Sequence, residues 1–234
     1  MDRAPTLLRV RAALLPAVCA VCADPLDGVD RGLCRSCWAT VLPDPGARCP
    51  RCGNPSDGWE GSCAACQKGS PPQDTTTVWG VYDGTLRRAV LALKHHGHDE
   101  LARPLGDRLA AAVAPMPWFA GIDTVTWVPT HPVHRLRRGW SAARLLAGAM
   151  ARALDLPVRR QLKRHGLVRQ AGRTRVQRRA LPVAAFSACG SAAGARTLLV
   201  DDVMATGSTI RRACAALRAA GAEEVHVAVL AAAM

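Results

Sequence analysis

The stretch LLVDDVMATGSTI, residues 198–210, ends an apolar run in two adjacent acids and follows them with small and hydroxyl residues. The apolar run reads as a buried strand, and STIRRACAALRAAG after it as a helix closed by Gly221. In open parallel sheets, ligands collect at the carboxyl ends of the strands, which is where Asp201 and Asp202 fall. The backbone N–H groups of Ala205 to Thr209, with the hydroxyls of Thr206, Ser208 and Thr209, can wrap a phosphate at the helix start. Gly207 permits an approach that a side chain would block. A ligand suiting both halves carries a phosphate at one end and vicinal hydroxyls at the other, and ribose 5-phosphate has that shape. A nucleotide-hydrolase acid would require a G-x-x-x-x-G-K-[ST] loop, and the chain contains no Gly-Lys pair. A receiver-type acidic pocket would require a further Asp and a Lys on later strands, which are absent. Two acids that merely cap a helix are the plain structural alternative.

The second chemically loaded group is a ladder of cysteines. Eight of the ten precede residue 67 and all eight come as C-x-x-C: Cys19 and Cys22, Cys34 and Cys37, Cys49 and Cys52, Cys63 and Cys66. Successive pairs are separated by 11, 11 and 10 residues. Each pair can aim two sulfurs at one point, and two pairs complete a tetrahedron, the arrangement of a structural zinc site. Sequential pairing into two short ribbons is expected, holding about two Zn²⁺; an interleaved cross-brace would exchange partners. Disulfides would need an oxidising compartment, and redox dithiols are the other rival. A segment this small, rich in Pro and Gly, buries little core, so the metal supplies its folding energy. Cys189 and Cys214 fall outside the ladder and read as ordinary small apolar residues.

These groups need a scaffold. The chain has 234 residues, enough for one α/β domain of ordinary size plus a small module. By composition, 1–68 is the double ribbon, 69–77 (GSPPQDTTT) a linker and 78–234 the larger domain. VWGVY reads as a strand, 84–94 as an amphipathic helix ending near Gly97, and 99–114 as a second helix. IDTVTWVP reads as a strand stopped by Pro129, SAARLLAGAMARAL as a helix and VHVAVLA as a last strand. Strands alternating with helices imply a parallel sheet flanked by helices.

No apolar run approaches the roughly 20 residues of a membrane span. The N-terminus imitates a signal peptide, but Arg9 and Arg11 break its apolar core, and processing near Ala23 would remove Cys19 and Cys22. A cytoplasmic protein is expected. The net charge is +13, and is still about +9 with two zinc tetrathiolates counted. Only three residues are Lys, so the charge is guanidinium, suited to planar contacts with phosphate. Anionic partners are expected.

LLVDDVMATGSTI resembles the phosphoribosyl pyrophosphate (PRPP) signature of type I phosphoribosyltransferases. More narrowly, the chain resembles the ComF family of competence-related proteins. The cysteine ladder, LALKHHGHDELARPLGDRLA at 91, VPTHPVHRLRRGW at 128 and the signature occur in that family's order. The resemblance implies a type I phosphoribosyltransferase-like sheet behind a double zinc ribbon. It implies that PRPP, carried with Mg²⁺, is held by Asp201, Asp202, Val203, Met204, Ala205, Thr206, Gly207, Ser208 and Thr209. In that reading the two acids bind the ribose 2′- and 3′-hydroxyls and Ala205 to Thr209 form the 5′-phosphate loop. Lys94, in KHHGH, is expected near the cleft rather than in a metal site.

Two departures stand out. The family's R-G-F-N-Q becomes RRGWSA, with Ser141 and Ala142 replacing amide residues, and its DDVxTTG becomes DDVMATG. Hypoxanthine-type enzymes carry an acid at the position of Ala205, where it assists proton removal from the base. Ala205 has no such group, which argues against purine salvage. Trp140 is expected to pack or stack near the Arg-rich loop rather than to read a base.

No Asp or Glu occurs from Leu156 to Val200, while nine Lys or Arg lie between Arg159 and Arg179. QAGRTRVQRRAL falls where type I enzymes carry a mobile hood loop. Arg169, Arg173, Arg175, Arg178 and Arg179 either clamp departing pyrophosphate, grip a nucleic-acid backbone, or form a solvated loop. Arg137 and Arg138, after a strand end and before a helix start, are better placed for the pyrophosphate itself. Two functions follow. One is phosphoribosyl transfer to an acceptor the chain does not reveal. The other is a non-catalytic module that keeps the phosphosugar pocket and handles single-stranded DNA beside DNA-uptake or recombination proteins, as the family's competence association implies.

Overall fold

The computed structural model describes residues 17–26, 32–56, 61–95, 97–130, 141–165, 185–190 and 192–233. Arg137, Arg138 and Trp140, and Arg169, Arg173, Arg175, Arg178 and Arg179, lie outside the described residues.

Two five-residue helices, α1 (Arg35–Ala39) and α2 (Ala64–Lys68), belong to the cysteine ladder. The larger part continues as β1 (Thr75–Val81), α3 (Gly84–His95), α4 (Ala102–Val113), β2 (Thr124–Trp127) and α5 (Ala142–Leu154). It ends with β3 (Leu162–Arg164), β4 (Phe186–Ala188), β5 (Arg196–Met204), α6 (Ser208–Ala219) and β6 (Glu224–Ala232). The main sheet has the order β1-β6-β5-β2 and is parallel throughout. Beyond β2, Val125 exchanges backbone bonds with Pro157 and Arg159, both 2.9 Å, which adds a bridge at Val158. A separate antiparallel pair joins β3 to β4, with Arg164 opposite Phe186. Strands of three residues carry no readable period, which is why this pair was not anticipated from the sequence.

Alternation along the strands divides the core between two faces. Leu198, Val200, Ala228 and Leu230 pack under α3, α4 and α5, while Leu199, Val227 and Val229 pack under α6 and the β3–β4 pair. The helices answer with stripes at helical spacing: Leu86, Ala89, Val90 and Leu93 on α3, and Ile210, Ala213, Cys214 and Leu217 on α6. Cys214 is thus a core residue, fully buried, whereas Cys189 is only half-buried.

Each ribbon is built the same way. A C-x-x-C knuckle closes by a backbone bond to its first cysteine, Ala23 N to Cys19 O at 2.9 Å and Gly53 N to Cys49 O at 2.8 Å. The short helix then starts directly after the third cysteine of the set. The ribbons lie against the sheet domain. Leu33, fully buried, and Val41 join the first-face core beside Leu101. Thr40 shares a 2.8 Å hydroxyl bond with Thr85, and the Arg108 guanidinium lies 4.2 Å from the centre of the Trp38 ring. Along β1, Asp44 N donates to Trp79 O at 2.8 Å and Thr76 N to Pro50 O at 2.7 Å.

The segment expected as a linker, 69–77, ends inside the sheet. Thr75, Thr76 and Thr77 pair with His226, Val227 and Ala228, and Gln73 is buried. Threonine suits a strand through its β-branch even where the surrounding composition suggests a loop. Arg218 of α6 fastens the approach, donating to Pro72 O at 3.1 Å and pairing with Asp74.

Because Leu33 sits in the core of the larger domain, Leu33→Ala should lower the stability of the whole chain by about 2–5 kcal/mol. Thermal melting should show it as one shifted transition. A separate low-temperature transition of the ribbon alone would contradict the shared core.

Candidate functional site

The carboxyl ends of β5 and β2, the last turn of α3 and the first turn of α5 surround a cavity of about 300 Å³. Its walls carry Lys94, Pro129, Arg164, Asp201, Asp202 and Thr209 among others. Strand β5 runs past the acids to Met204, paired there with Ala232, so both aspartates are fixed by strand geometry. Alternation sends Asp201, 8% exposed, inward and leaves Asp202 partly accessible. The loop after Met204 turns at Gly207, whose φ of 67° lies in the left-handed region. Thr206 Oγ1 donates to Ser208 Oγ at 3.1 Å and accepts from Ser208 N at 3.4 Å. The amides of the first helical turn have no partners within the helix and point out of its start.

Lys94 Nζ lies 2.8 Å from Asp202 Oδ1, and Asp201 Oδ1 accepts the N–H of Asp202 at 2.9 Å. Burial raises the Asp201 carboxyl well above the usual carboxylate range, and the neighbouring Asp202 charge raises it further. The Asp202 N–H, Lys94 and Arg164 act in the opposite direction. The pair therefore offers a salt-bridged carboxylate beside a carboxyl that retains its proton readily. Such a surface matches adjacent hydroxyl groups, each of which both donates and accepts.

Lys94 reaches the acids as expected, and His95 beside it also lines the cavity. Of the stretch Ala205 to Thr209, Thr209 lines the cavity. Ser141 caps α5: its Oγ accepts from Arg144 N at 3.4 Å and from Thr130 Oγ1 at 2.9 Å. Ala142 and Ala143 then line the cavity where larger residues would fill it. Arg164 was not singled out from sequence. It reaches the cavity from β3, its guanidinium 5.3 Å from the centre of the Phe186 ring, and the only sequence signal was its place in the acid-free stretch.

The cysteines form two sets, Cys19, Cys22, Cys34 and Cys37, and Cys49, Cys52, Cys63 and Cys66. This is the sequential pairing. Within each set the ligand atoms lie within 4.8 Å of one another. Cys22 and Cys34 Sγ are 3.5 Å apart, and Cys52 and Cys63 Sγ 3.7 Å. A tetrahedral zinc thiolate has an edge of about 3.8 Å, whereas a disulfide needs about 2.05 Å. All ten cysteines are free. Against the burial that would raise it, backbone N–H groups of Cys63, Cys52 and Arg51 hold the Cys49 thiol down at about 6. Cys19 is held at about 6 in the same manner, against its own burial, by Cys22, Cys34 and Val21. The first sulfur of each set is thus held toward the thiolate that Zn²⁺ binds, while burial raises Cys37, Cys52 and Cys66 in the absence of metal.

Two family models match parts of the chain. Residues 10–67 match the double zinc ribbon domain and residues 141–234 the phosphoribosyl transferase domain. Competence protein F of Haemophilus influenzae is 29% identical over 217 residues, covering 89% of this chain and 94% of that protein. The chain is similar to competence protein F along nearly its whole length. Among solved structures, the chain overlaps glutamine PRPP amidotransferase from B. subtilis at 25% identity and a TM-score of 0.45. That overlap covers 60% of this chain and only 30% of the amidotransferase. A purine phosphoribosyltransferase from Pyrococcus horikoshii overlaps at 22% identity and a TM-score of 0.36, over 55% of this chain and 72% of that one. Among the described residues, no helix is long and apolar enough to cross a membrane.

Two outcomes are expected from this geometry. Elemental analysis should return about two zinc ions per chain, and Cys52→Ser should remove about one of them. For Asp201, the folded state binds the carboxyl proton more tightly than the unfolded chain does. That contribution is complete below the unfolded value of about 3.9 and is lost as pH rises through the raised folded value. Ligand-free Asp201→Asn should therefore melt above wild type at pH 8, by about 3 °C, with the gap closing toward pH 4. Equal gaps at both ends of the pH series would exclude a raised Asp201.

Proposed function

We propose that the cavity at the end of β5 binds PRPP, and that this ComF-like chain transfers its phosphoribosyl group to an acceptor with release of pyrophosphate. The observation that carries the reading is the joining of Asp201, Asp202, Lys94 and Thr209 in one cavity, next to a Gly207-turned helix start. In this reading the ribose 2′- and 3′-hydroxyls lie on Asp201 and Asp202. The 5′-phosphate takes the amides of Ala205 to Thr209 with the hydroxyls of Thr206, Ser208 and Thr209.

Transfer breaks the bond from the anomeric carbon to the pyrophosphate oxygen, and that electron pair leaves with pyrophosphate. A nucleophile's lone pair then forms the new bond to the same carbon. The carbon becomes positive in the transition state while the leaving oxygens gain charge, so neutralising the leaving group matters more than a strong base. Lys94 and Arg164 stand on the cavity wall for that purpose. Arg137 and Arg138, outside the described residues, keep the same assignment from sequence. Mg²⁺ arriving with PRPP would neutralise the diphosphate, and the carboxylate oxygens of Asp201 and Asp202 are donors of the hard type it takes. Ala205 offers an exposed methyl where a proton-accepting group could stand, so the acceptor is one that gives up no proton to that position. The relative's name links the chain to competence; a role in DNA uptake, with single-stranded DNA gripped by the Arg-rich stretch, is the non-catalytic form of the same proposal.

Calorimetry with PRPP, with and without Mg²⁺, decides the pocket. Wild type should bind, and Asp201→Asn combined with Asp202→Asn should bind at least tenfold more weakly, on the order of 1.4 kcal/mol. Equal affinity of wild type and double variant would place the ligand elsewhere.

A further inference from the structure

The two ribbons are near-copies, and the place where they differ points at the phosphate loop. Ala23 follows Cys22 with φ 63°, and Gly53 follows Cys52 with φ 73°. Each closes its knuckle by the same backbone bond. The first ribbon therefore shows that this turn accepts a Cβ in the left-handed region, so backbone conformation alone does not require glycine at 53. Surroundings do. Ala23 is exposed and Gly53 is buried. A methyl group at Gly53 would lie 2.8 Å from Thr76 Cγ2 and 3.0 Å from both Val78 Cγ2 and Met204 Cε.

Met204 is the last residue of β5, 3% exposed, and leads directly into the loop of Ala205 to Thr209. Its sulfur lies 3.6 Å from where a Cβ on Gly207 would stand. The knuckle is also fixed to the sheet on either side of this contact. Thr76 N donates to Pro50 O at 2.7 Å, and Thr76 Oγ1 donates to Arg51 O at 2.9 Å. The Met204 side chain thus lies between Gly53, next to Cys52, and the turn at Gly207, with its methyl group close to the first and its sulfur close to the second. The first ribbon packs instead on Leu101 and Thr85.

We infer that the second zinc knuckle is the buttress of the phosphate loop, with Gly53 and Met204 as positioning residues that set the direction of its amides. The inference deepens the phosphoribosyl reading by making occupancy of one particular metal set part of anion binding. Coupling of this kind is reciprocal: ligand on the loop tightens the second knuckle, and a displaced knuckle weakens the ligand.

The deciding measurement is hydrogen exchange of the peptide spanning 204–210 in the zinc-loaded full chain without ligand. It does not depend on PRPP being the ligand, so failure of the proposed function leaves it readable. Gly53→Ala should keep about two zinc ions per chain, as the alanine of the first knuckle predicts, while the loop amides exchange about tenfold faster. Where wild type binds PRPP with Mg²⁺, the same variant should bind about tenfold more weakly. Two zinc ions with wild-type loop exchange would overturn the inference. If Gly53→Ala loses metal, Met204→Ala decides, because Met204 belongs to the sheet core and not to the cysteine cluster: faster loop exchange supports the buttress, and unchanged exchange refutes it.

Discussion

One buried carboxyl governs the arrangement of the whole site. Asp201 is sent inward by strand alternation and sits against Asp202, so two acids share a space that cannot hold two free charges cheaply. Lys94 from α3 answers one, a backbone N–H answers the other, and Arg164 from the β3–β4 pair adds a more distant positive charge. Three elements remote in sequence must therefore meet at the end of β5. The order β1-β6-β5-β2 makes that meeting possible, since it keeps β5 in the interior of the sheet with helices on both faces.

Much of this was legible in the sequence because it rests on short-range regularities. The cysteine spacing pointed to the ribbons and left the pairing between sequential and interleaved sets, which only the folded positions of the sulfurs separate, and LLVDDVMATGSTI revealed the strand, the acids and the helix start. Lys94 was placed near the cleft by resemblance, and in the fold it pairs with Asp202. What escaped was long-range or too short to have a period. Arg164 acts at the site only because β3 pairs with β4 across an interval of basic chain, and nothing local marks that pairing. Thr75 to Thr77 looked like linker because composition does not report the partner strand that makes them part of the sheet.

The exchanged residues of the family pattern also find structural work. Ser141 stands where an amide residue is usual and caps α5, while Ala142 opens space at the cavity wall. Ala205 has the same character, a small exposed group beside a polar loop. Ala142 and Ala143 thus leave one part of the cavity wall lined by small groups, apart from the part that carries Lys94, Asp201 and Asp202.

The hydrogen bonds that join Asp44 and Pro50 to β1, the first donating and the second accepting, have a consequence for handling the chain. β1 is the outermost strand of the sheet, and a bare outermost strand invites pairing with other chains. The ribbon backbone occupies part of that rim. Cutting the chain before β1 to isolate the sheet would bare it and favour association between copies, so the metal-binding segment works as a hem as well as a neighbour, and the two halves are bound to travel together.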